Sequence, residues 1–350
     1  AKLKILSFFQ ILSDQMAEIL TLTKNTEKDI IKKIVDTLKN SAVVIVPTDT
    51  VYGLICDGQD NRAKSYIYTL KHRPEYKPLI AFVKNTAQAA KIAYIQQSDF
   101  NFISRRWPGR NTFIFKSKIK SKYLVSDGKT IAIRIPDSNL ITHLCGFFPY
   151  LASTSANLSF AGSCLSLDEI NSEILNKIPL AIDAGKLSSR ESAIWDMTQS
   201  PAKLVRGRAL FVSSENDDRC YMAQIMLKHL IVNKSIDMVF AYTGSAVANS
   251  FSQFVIKTME GFPMPTEGFS SCQLTDRLII SSDLIFVMEE KCKNIILQRI
   301  PESYDKIIVL DIPKPEARDI SSCRKIKKII AHRIKTYALT RIKNEDSNRK

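Results

Sequence analysis

The chain has 350 residues, of which 50 are Lys or Arg and 35 Asp or Glu, giving a formal charge of +15, and 45% are hydrophobic. That apolar share excludes a disordered chain, and no apolar run approaches the ~18 residues of a transmembrane helix. Seven scattered cysteines without a C-x-x-C pair, and four histidines without metal-ligand spacing, argue against a zinc ribbon, a disulfide scaffold or a His/Cys metal site.

The length predicts two domains at ~150 residues each. The free cysteines suit a reduced, cytoplasmic setting, and the basic excess favours a polyanionic partner. Residues 1–25 read as an N-terminal extension, with Met16 as a natural start. A helix follows from Thr26, whose hydroxyl is placed to cap the Asp29 amide, with Ile30, Ile31, Ile34, Val35 and Leu38 on one face. Strand Ala42–Val46 runs into Pro47. Helices are then predicted over Arg62–Lys71, Thr86–Ala93, Asn139–Cys145 and Leu167–Leu175. They alternate with strands Leu79–Val83, Thr112–Lys116, Thr130–Ile135, Tyr150–Ser153 and Leu180–Asp183. This mixture predicts an α/β domain over 26–212. Ser213–Asp218 is polar and reads as a linker, leading through a helix Arg219–Val232 to a second α/β domain over 237–338. Its strands are Met238–Tyr242, Leu284–Met288 and Lys306–Leu310, with a last helix Ser321–Tyr337 and a basic tail 339–350. From Arg318 onward eleven Lys and Arg face three acids, so more than half of the net charge lies there. Such a face is either simply solvated or a contact for nucleic acid.

The densest chemistry is Pro47-Thr48-Asp49-Thr50-Val51-Tyr52-Gly53-Leu54, where a strand exit carries hydroxyls and a carboxylate. Lys71-His72-Arg73-Pro74 and Lys77-Pro78 form a cationic, proline-stiffened loop suited to a phosphate chain. Arg134 ends a strand, and Ser153-Thr154-Ser155-Ala156-Asn157 is a hydroxyl-rich turn, either a ligand loop or a helix cap.

Taken together, PTDTVYGL (47–54), KHRP…KPL (71–79), RWPG (106–109), TIAIRIP (130–136), STSANLS (153–159), DAGKLSSRES (183–192) and LVRGRA (204–209) resemble the YrdC-type, threonylcarbamoyl-adenylate synthase family. The resemblance implies a twisted mixed sheet with a large basic cavity. It implies a nucleotidyltransferase that converts L-threonine, bicarbonate and ATP, with Mg²⁺, to threonylcarbamoyl-AMP and pyrophosphate. The product would serve tRNA modification through a threonylcarbamoyl-transferase complex, without a membrane. It also implies nucleotide contacts at Arg73, Lys77, Thr130, Ser155, Ser163 and Arg206, and threonine contacts at Thr50, Arg134, Ser153 and Ser192. Lys77, Arg73 and Arg134 stand out as the most critical, acting by positioning and charge neutralisation.

Departures from the family pattern are Arg110 and Asn111 in the WPG-x-x-T run, Phe82 for a histidine, Phe160 and Arg208 for glycines, and Ala193 for a threonine. Residues 237–338 resemble a smaller α/β fold, that of low-molecular-weight protein tyrosine phosphatases. That family needs a nucleophilic cysteine, an arginine six residues on and a late Asp-Pro acid. With the phosphate loop placed after Met238–Tyr242, these positions hold Tyr242, Ala248 and Lys314, which implies a catalytically dead module. The alternative for the whole chain is a non-catalytic protein that binds tRNA or double-stranded RNA through the basic cavity.

Overall fold

The computed structural model describes residues 17–343 apart from 160, 216–217, 232, 234, 245–251, 263–270 and 318. Most of the extension and of the basic tail, Phe160 and Ala248 therefore lie outside the described residues. The chain divides into two compact units, Ala1–Thr198 and Gln199–Lys350. In both, strands and helices alternate as the hydrophobic patterning requires.

The first unit is built on a mixed sheet of eleven strands: β1 (Glu18–Thr21), β2 (Val44–Val46), β3 (Gly53–Asp57), β4 (Ile80–Phe82), β5 (Ala93–Tyr94), β6 (Asn111–Ser117), β7 (Val125–Ser126), β8 (Thr130–Arg134), β9 (Leu151–Ser155), β10 (Leu180–Asp183) and β11 (Ala193–Asp196). Its order is β1-β10-β2-β3-β9-β4-β8-β6-β11, with β5 on β6 and β7 on β8. Helix Glu27–Lys39 buries Ile30, Ile34, Val35 and Leu38. Together with Leu140, Ile141 and Leu144 these side chains cover Val44, Val46, Ile55, Leu151, Leu180 and Ile182 on one sheet face. Ile31 packs only at the margin of this core.

Three local expectations are corrected. The Thr26 side chain makes no cap bond; its hydroxyl donates to the Thr21 carbonyl at 2.9 Å and so ties the helix start back to β1. The helix expected over Leu167–Leu175 is a 3₁₀ turn (Leu167–Glu169) and a short helix (Ser172–Leu175). Between them Ile170 and Asn171 are extended, because Asn171 Oδ1 accepts from the Glu173 amide at 2.7 Å and starts the second helix anew. Finally, an eleven-residue strand, β12 (Lys203–Ser213), occupies residues for which the pattern predicted none.

β12 is the middle of the second unit's sheet. The other strands are β13 (Ile236–Tyr242), β14 (Ser271–Gln273), β15 (Leu284–Val287) and β16 (Ile307–Val309), and the path β14-β13-β12-β15-β16 is parallel throughout. Leu210, Val212, Ala241, Ile285 and Val287 face a core completed by Ile279, Cys292 and Ile296. One residue out of phase, Phe211 stacks on Phe240 at 5.0 Å and on Phe286 at 4.9 Å. Of Ser213–Asp218, read as a linker, Ser213 is the last residue of β12 and Asp218 the first of helix Asp218–Leu230.

Candidate active site

In the first unit β2 stops at Val46, and Pro47-Thr48-Asp49-Thr50 turns inward instead of continuing the strand. Thr48 fixes that turn: its hydroxyl donates to the Val51 carbonyl at 2.7 Å, accepts from the Thr50 amide at 3.1 Å and lies 2.9 Å from the Thr50 hydroxyl. Arg134, at the end of β8 and only 3% exposed, meets this turn. It donates from Nε to the Gly109 carbonyl at 3.1 Å, from Nη1 to the Thr50 hydroxyl at 2.9 Å and from Nη2 to Asp49 Oδ1 at 2.6 Å. The Phe82 ring, opposite Arg134 in the β4–β8 register, lies 5.7 Å from the guanidinium carbon and supports it from below. Thr112 faces Arg134 across β6–β8 and bonds the Ser192 hydroxyl at 3.0 Å. Thr50, Arg134 and Ser192 are thus linked through shared neighbours. Ser153 is buried on β9 beside Gly53. A Cβ on that glycine would stand 3.3 Å from the Thr154 carbonyl and 3.6 Å from Ser153 Oγ, so the close β3–β9 approach needs the missing side chain.

A second cluster forms where helix Asn61–Lys71 ends. Asp60 caps its start by accepting from the Arg62 and Ala63 amides. His72, in the left-handed region at φ 49°, ends it, so that Lys71 turns inward and the Arg73 amide donates to the Tyr68 carbonyl at 2.9 Å. Lys71 Nζ donates to the Ser155 and Asn157 carbonyls, and the Ser155 hydroxyl bonds Asn157 Oδ1. Burial, reinforced by the Arg73 charge, lowers the Lys71 pKa to about 7. Arg73 donates to the Lys77 and Pro78 carbonyls at 2.9 and 2.8 Å, and reaches the Thr154 hydroxyl at 3.5 Å. The Ser163 hydroxyl bonds Glu191. Because β8 parallels β4 and β4 opposes β9, Thr130 at the start of β8 lies on the sheet edge toward which β9 carries Ser155. The other end of the same strand, about 13 Å away, carries Arg134. One strand therefore divides the expected nucleotide contacts from the expected threonine contacts. Arg206 is half-buried on β12, in the second unit.

Asp49, Lys71 and Asn157 sit inside the quoted motifs but are not among the contacts the resemblance implies. For Lys71 a signal existed, since it falls at the helical spacing of Ala63, Ile67 and Tyr68 on a buried face. Two of the departures also gain a role. Arg110 lines a cavity of about 370 Å³ with Asp49, Arg105, Arg106, Pro108, Gly109, Asn111 and Asp137. Asn111 accepts the indole N–H of Trp107 through its carbonyl at 2.7 Å and that of Trp195 through its side chain at 3.0 Å. Among the described residues no three His, Cys, Asp or Glu gather to hold a metal ion. The donor set is cations and hydroxyls, which suits a magnesium ion carried in by polyphosphate and offers it no protein cage. No described helix is long and apolar enough to cross a membrane.

The second unit has its own strand-end cluster, at the point where the chain order 3-2-1-4-5 reverses direction between β12 and β15. A crevice at such a reversal is where parallel α/β sheets bind ligands. Ser213 ends β12, and Arg219, six residues on, is fully buried. Arg219 donates to the Ile312 carbonyl at 2.8 Å and pairs with Glu289 at 3.5 Å. Glu289 also accepts from the Ser214 amide at 3.3 Å. Burial alone would raise the Glu289 pKa, but the Ser214 hydrogen bonds and the Arg219 charge outweigh it and hold it low. Lys314 binds Glu215 at 2.8 Å. The phosphate-loop placement after β13 is thereby corrected. Tyr242 ends a strand flanked by β12 and β14, whereas the turn at the reversal begins at Ser213 and retains an arginine at the required spacing.

Comparison with known proteins agrees with this division. The Sua5/YciO/YrdC family profile, described as "Telomere recombination", matches residues 36–207, and the low molecular weight phosphotyrosine protein phosphatase profile matches residues 208–348. The putative threonylcarbamoyl-AMP synthase of Methanocaldococcus jannaschii is 33% identical over 175 residues, covering 50% of this chain and 83% of that protein. The threonylcarbamoyl-AMP synthase of Serratia proteamaculans is 34% identical over 164 residues, covering 45% of this chain and 85% of its own. Among solved structures, Escherichia coli YciO aligns with a TM-score of 0.51 at 22% identity, over 55% of this chain and 95% of that one. Sua5 of P. abyssi, complexed with L-threonine, aligns with a TM-score of 0.51 at 18% identity, over 90% of this chain and 88% of its own, a likeness of fold. The chain belongs to the Sua5/YciO/YrdC family of threonylcarbamoyl-AMP synthase domains, here fused to a domain of the low-molecular-weight phosphotyrosine phosphatase family.

Proposed function

We propose that the first unit makes threonylcarbamoyl-AMP from L-threonine, bicarbonate and ATP, for transfer to tRNA by a partner complex. The observation that carries this reading is the Thr50–Arg134–Asp49 cluster, a buried guanidinium dressed with a hydroxyl and a carboxylate, in a chain of which up to half is about one-third identical to proteins named as synthases or putative synthases of that kind. In the reaction the unprotonated threonine nitrogen attacks the carbon of bicarbonate with loss of water, or of CO₂ with release of a proton to solvent, giving a carbamate. A carbamate oxygen then attacks the α-phosphorus of ATP, and pyrophosphate leaves. Neither step needs a strong protein base; both need charge neutralised and two anions brought together. Arg134 and Thr50 hold the amino-acid carboxylate, with Ser153 and Ser192 nearby. Arg73, Lys77 and Arg206, with the Thr130, Ser155 and Ser163 hydroxyls, face the phosphates, the buried Lys71 braces the Ser155 loop from within, and Mg²⁺ arrives with the nucleotide.

The second unit is read as silent in phosphate-ester hydrolysis. Ser213 stands where the family's thiolate would, and its hydroxyl, which donates to the Glu215 carbonyl, is a far weaker nucleophile than a thiolate. Lys314 holds the acid position and is engaged with Glu215. Its helix Ile320–Arg333 exposes Arg324, Lys325 and Lys328, which favours a nucleic-acid contact in support of the synthase, or in place of it.

The deciding measurement is pyrophosphate release from ATP, Mg²⁺ and bicarbonate with L-threonine, with L-serine as the comparison. Threonine-dependent release that collapses in Arg134→Ala and Lys77→Ala supports the synthase. Salt-sensitive tRNA binding with no threonine-dependent release supports the RNA-binding reading instead.

A further inference from the structure

Asp49 is the carboxylate that pairs with Arg134, and its two oxygens are used unequally. Oδ1 accepts from Arg134 at 2.6 Å, while Oδ2 is buried and accepts no hydrogen bond from any described residue. The side chain is 9% exposed, and that of Arg134 is 4% exposed. An ionised oxygen taken out of water without a donor is costly, and such an atom in a folded protein calls for a specific occupant. Asp49 also lines the cavity of about 370 Å³, at the lower end of the range for small-molecule sites. Arg105, Arg106 and Arg110 line the same cavity, yet none donates to Oδ2. The cavity thus sets two carboxylates, the exposed Asp137 and the largely buried Asp49, among several guanidinium groups, and Asp49 is the one that pairs with Arg134.

We propose that Asp49 Oδ2 is the acceptor for the α-ammonium group of the amino-acid substrate, so that Arg134 and Asp49 together read both charged ends of an α-amino acid. This rests on the functional reading given above. An α-amino acid carries a carboxylate and an ammonium on one carbon, and the protein places a guanidinium and a carboxylate side by side to meet them. The ammonium donates to Oδ2, and the substrate carboxylate lies against the Arg134 side. Asp49 keeps its hold on Arg134 through Oδ1 throughout, so its two oxygens divide orientation from recognition. A residue serving only to orient Arg134 would leave the cavity indifferent to what stands at the substrate's amine position.

That difference supplies the test. Binding of L-threonine to the full chain is measured by calorimetry against the matching 2,3-dihydroxybutanoate, which carries a hydroxyl in place of the amine. The wild-type chain is expected to favour L-threonine by about tenfold or more, the worth of one charge-assisted hydrogen bond. Asp49→Asn, checked for folding by circular dichroism, is expected to remove that preference while its amide oxygen still accepts from Arg134. Equal weakening of both ligands in Asp49→Asn, with the wild-type preference unexplained, overturns the proposal. So does a wild-type chain that binds the two ligands equally, a result that holds even if the variant does not fold. A wild-type chain that binds neither ligand overturns the functional reading itself, and the Asp49 assignment with it.

Discussion

Each unit buries an arginine and pairs it with a carboxylate, Arg134 at the end of β8 and Arg219 in the first turn of the helix after β12, but the two pairs are finished differently. Arg134 meets Asp49 beside a cavity of about 370 Å³, and the carboxylate keeps one oxygen without a donor. Arg219 meets Glu289 with no exposure of its own, Glu289 is further bonded by the Ser214 amide, and Lys314–Glu215 adds a second ion pair to the same set of loops. The first pair has unfinished hydrogen bonding and room for a ligand. In the second, protein carboxylates supply the negative charge that a phosphate would bring. A buried arginine therefore does not by itself mark a binding site; what its carboxylate partner leaves unsatisfied does.

The comparison breaks most readily at the arginines. Replacing Arg219 by Ala strips a fully buried cation from Glu289 and the Ile312 carbonyl, and is expected to destabilise the second unit by about 3 kcal/mol in denaturant unfolding. An Arg219→Ala chain of wild-type stability would show that its ion pair carries no structural weight. Arg134→Lys keeps the charge but cannot reach Gly109, Thr50 and Asp49 together. It is expected to lower threonine-dependent pyrophosphate release about a hundredfold, and unchanged release would remove Arg134 from the site.

A subtler effect follows from Lys71. Its folded pKa of about 7 lies below the ordinary 10.5, so between these values the unfolded chain binds more protons and stability rises with pH. The penalty of the buried charge is complete below the folded pKa and absent above the unfolded one. Compared with Lys71→Met, the wild-type chain should gain relative stability on going from about pH 6 to about pH 9, and parallel unfolding curves would refute it. Smallest of all, Lys314→Ala removes a pair whose side chains are about half exposed, and the thermal midpoint should not move measurably. A clear fall would mean that the Lys314–Glu215 pair does hold the crevice together.

The core strands of the first unit were legible because they are short apolar runs bounded by Pro, Gly or polar turns. β12 was not, for its first half reads Lys203-Leu-Val-Arg-Gly-Arg, where Arg206, Gly207 and Arg208 interrupt any apolar run. What makes it a strand is tertiary: Asp283 accepts the Arg208 amide at 2.7 Å, and parallel neighbours pair both its edges. With β12 hidden, the end of β13 at Tyr242 stands out in the sequence in place of the end of β12 at Ser213. In the first unit the motif order carried Thr50, Arg134, Ser153 and Ser192 to one region. Asp49 escaped notice because nothing in a sequence tells which carboxylate oxygen a fold will leave without a donor. LVRGRA, which carries Arg206, lies on the strand that opens the next sheet.

The stacked rings of Phe240, Phe211 and Phe286 have a consequence for how the second unit tolerates change. They lie opposite one another on three adjacent strands, so each ring reports the alignment of its neighbours as marks do on a vernier. A slip of one residue would turn them to the opposite face, and a slip of two would separate ring from ring. Alignment is thus set in the middle of the strands, two residues before the crevice begins at Ser213. Side chains at the crevice can then be exchanged, a thiol for a hydroxyl or an acid for a lysine, without unsettling the scaffold that presents them.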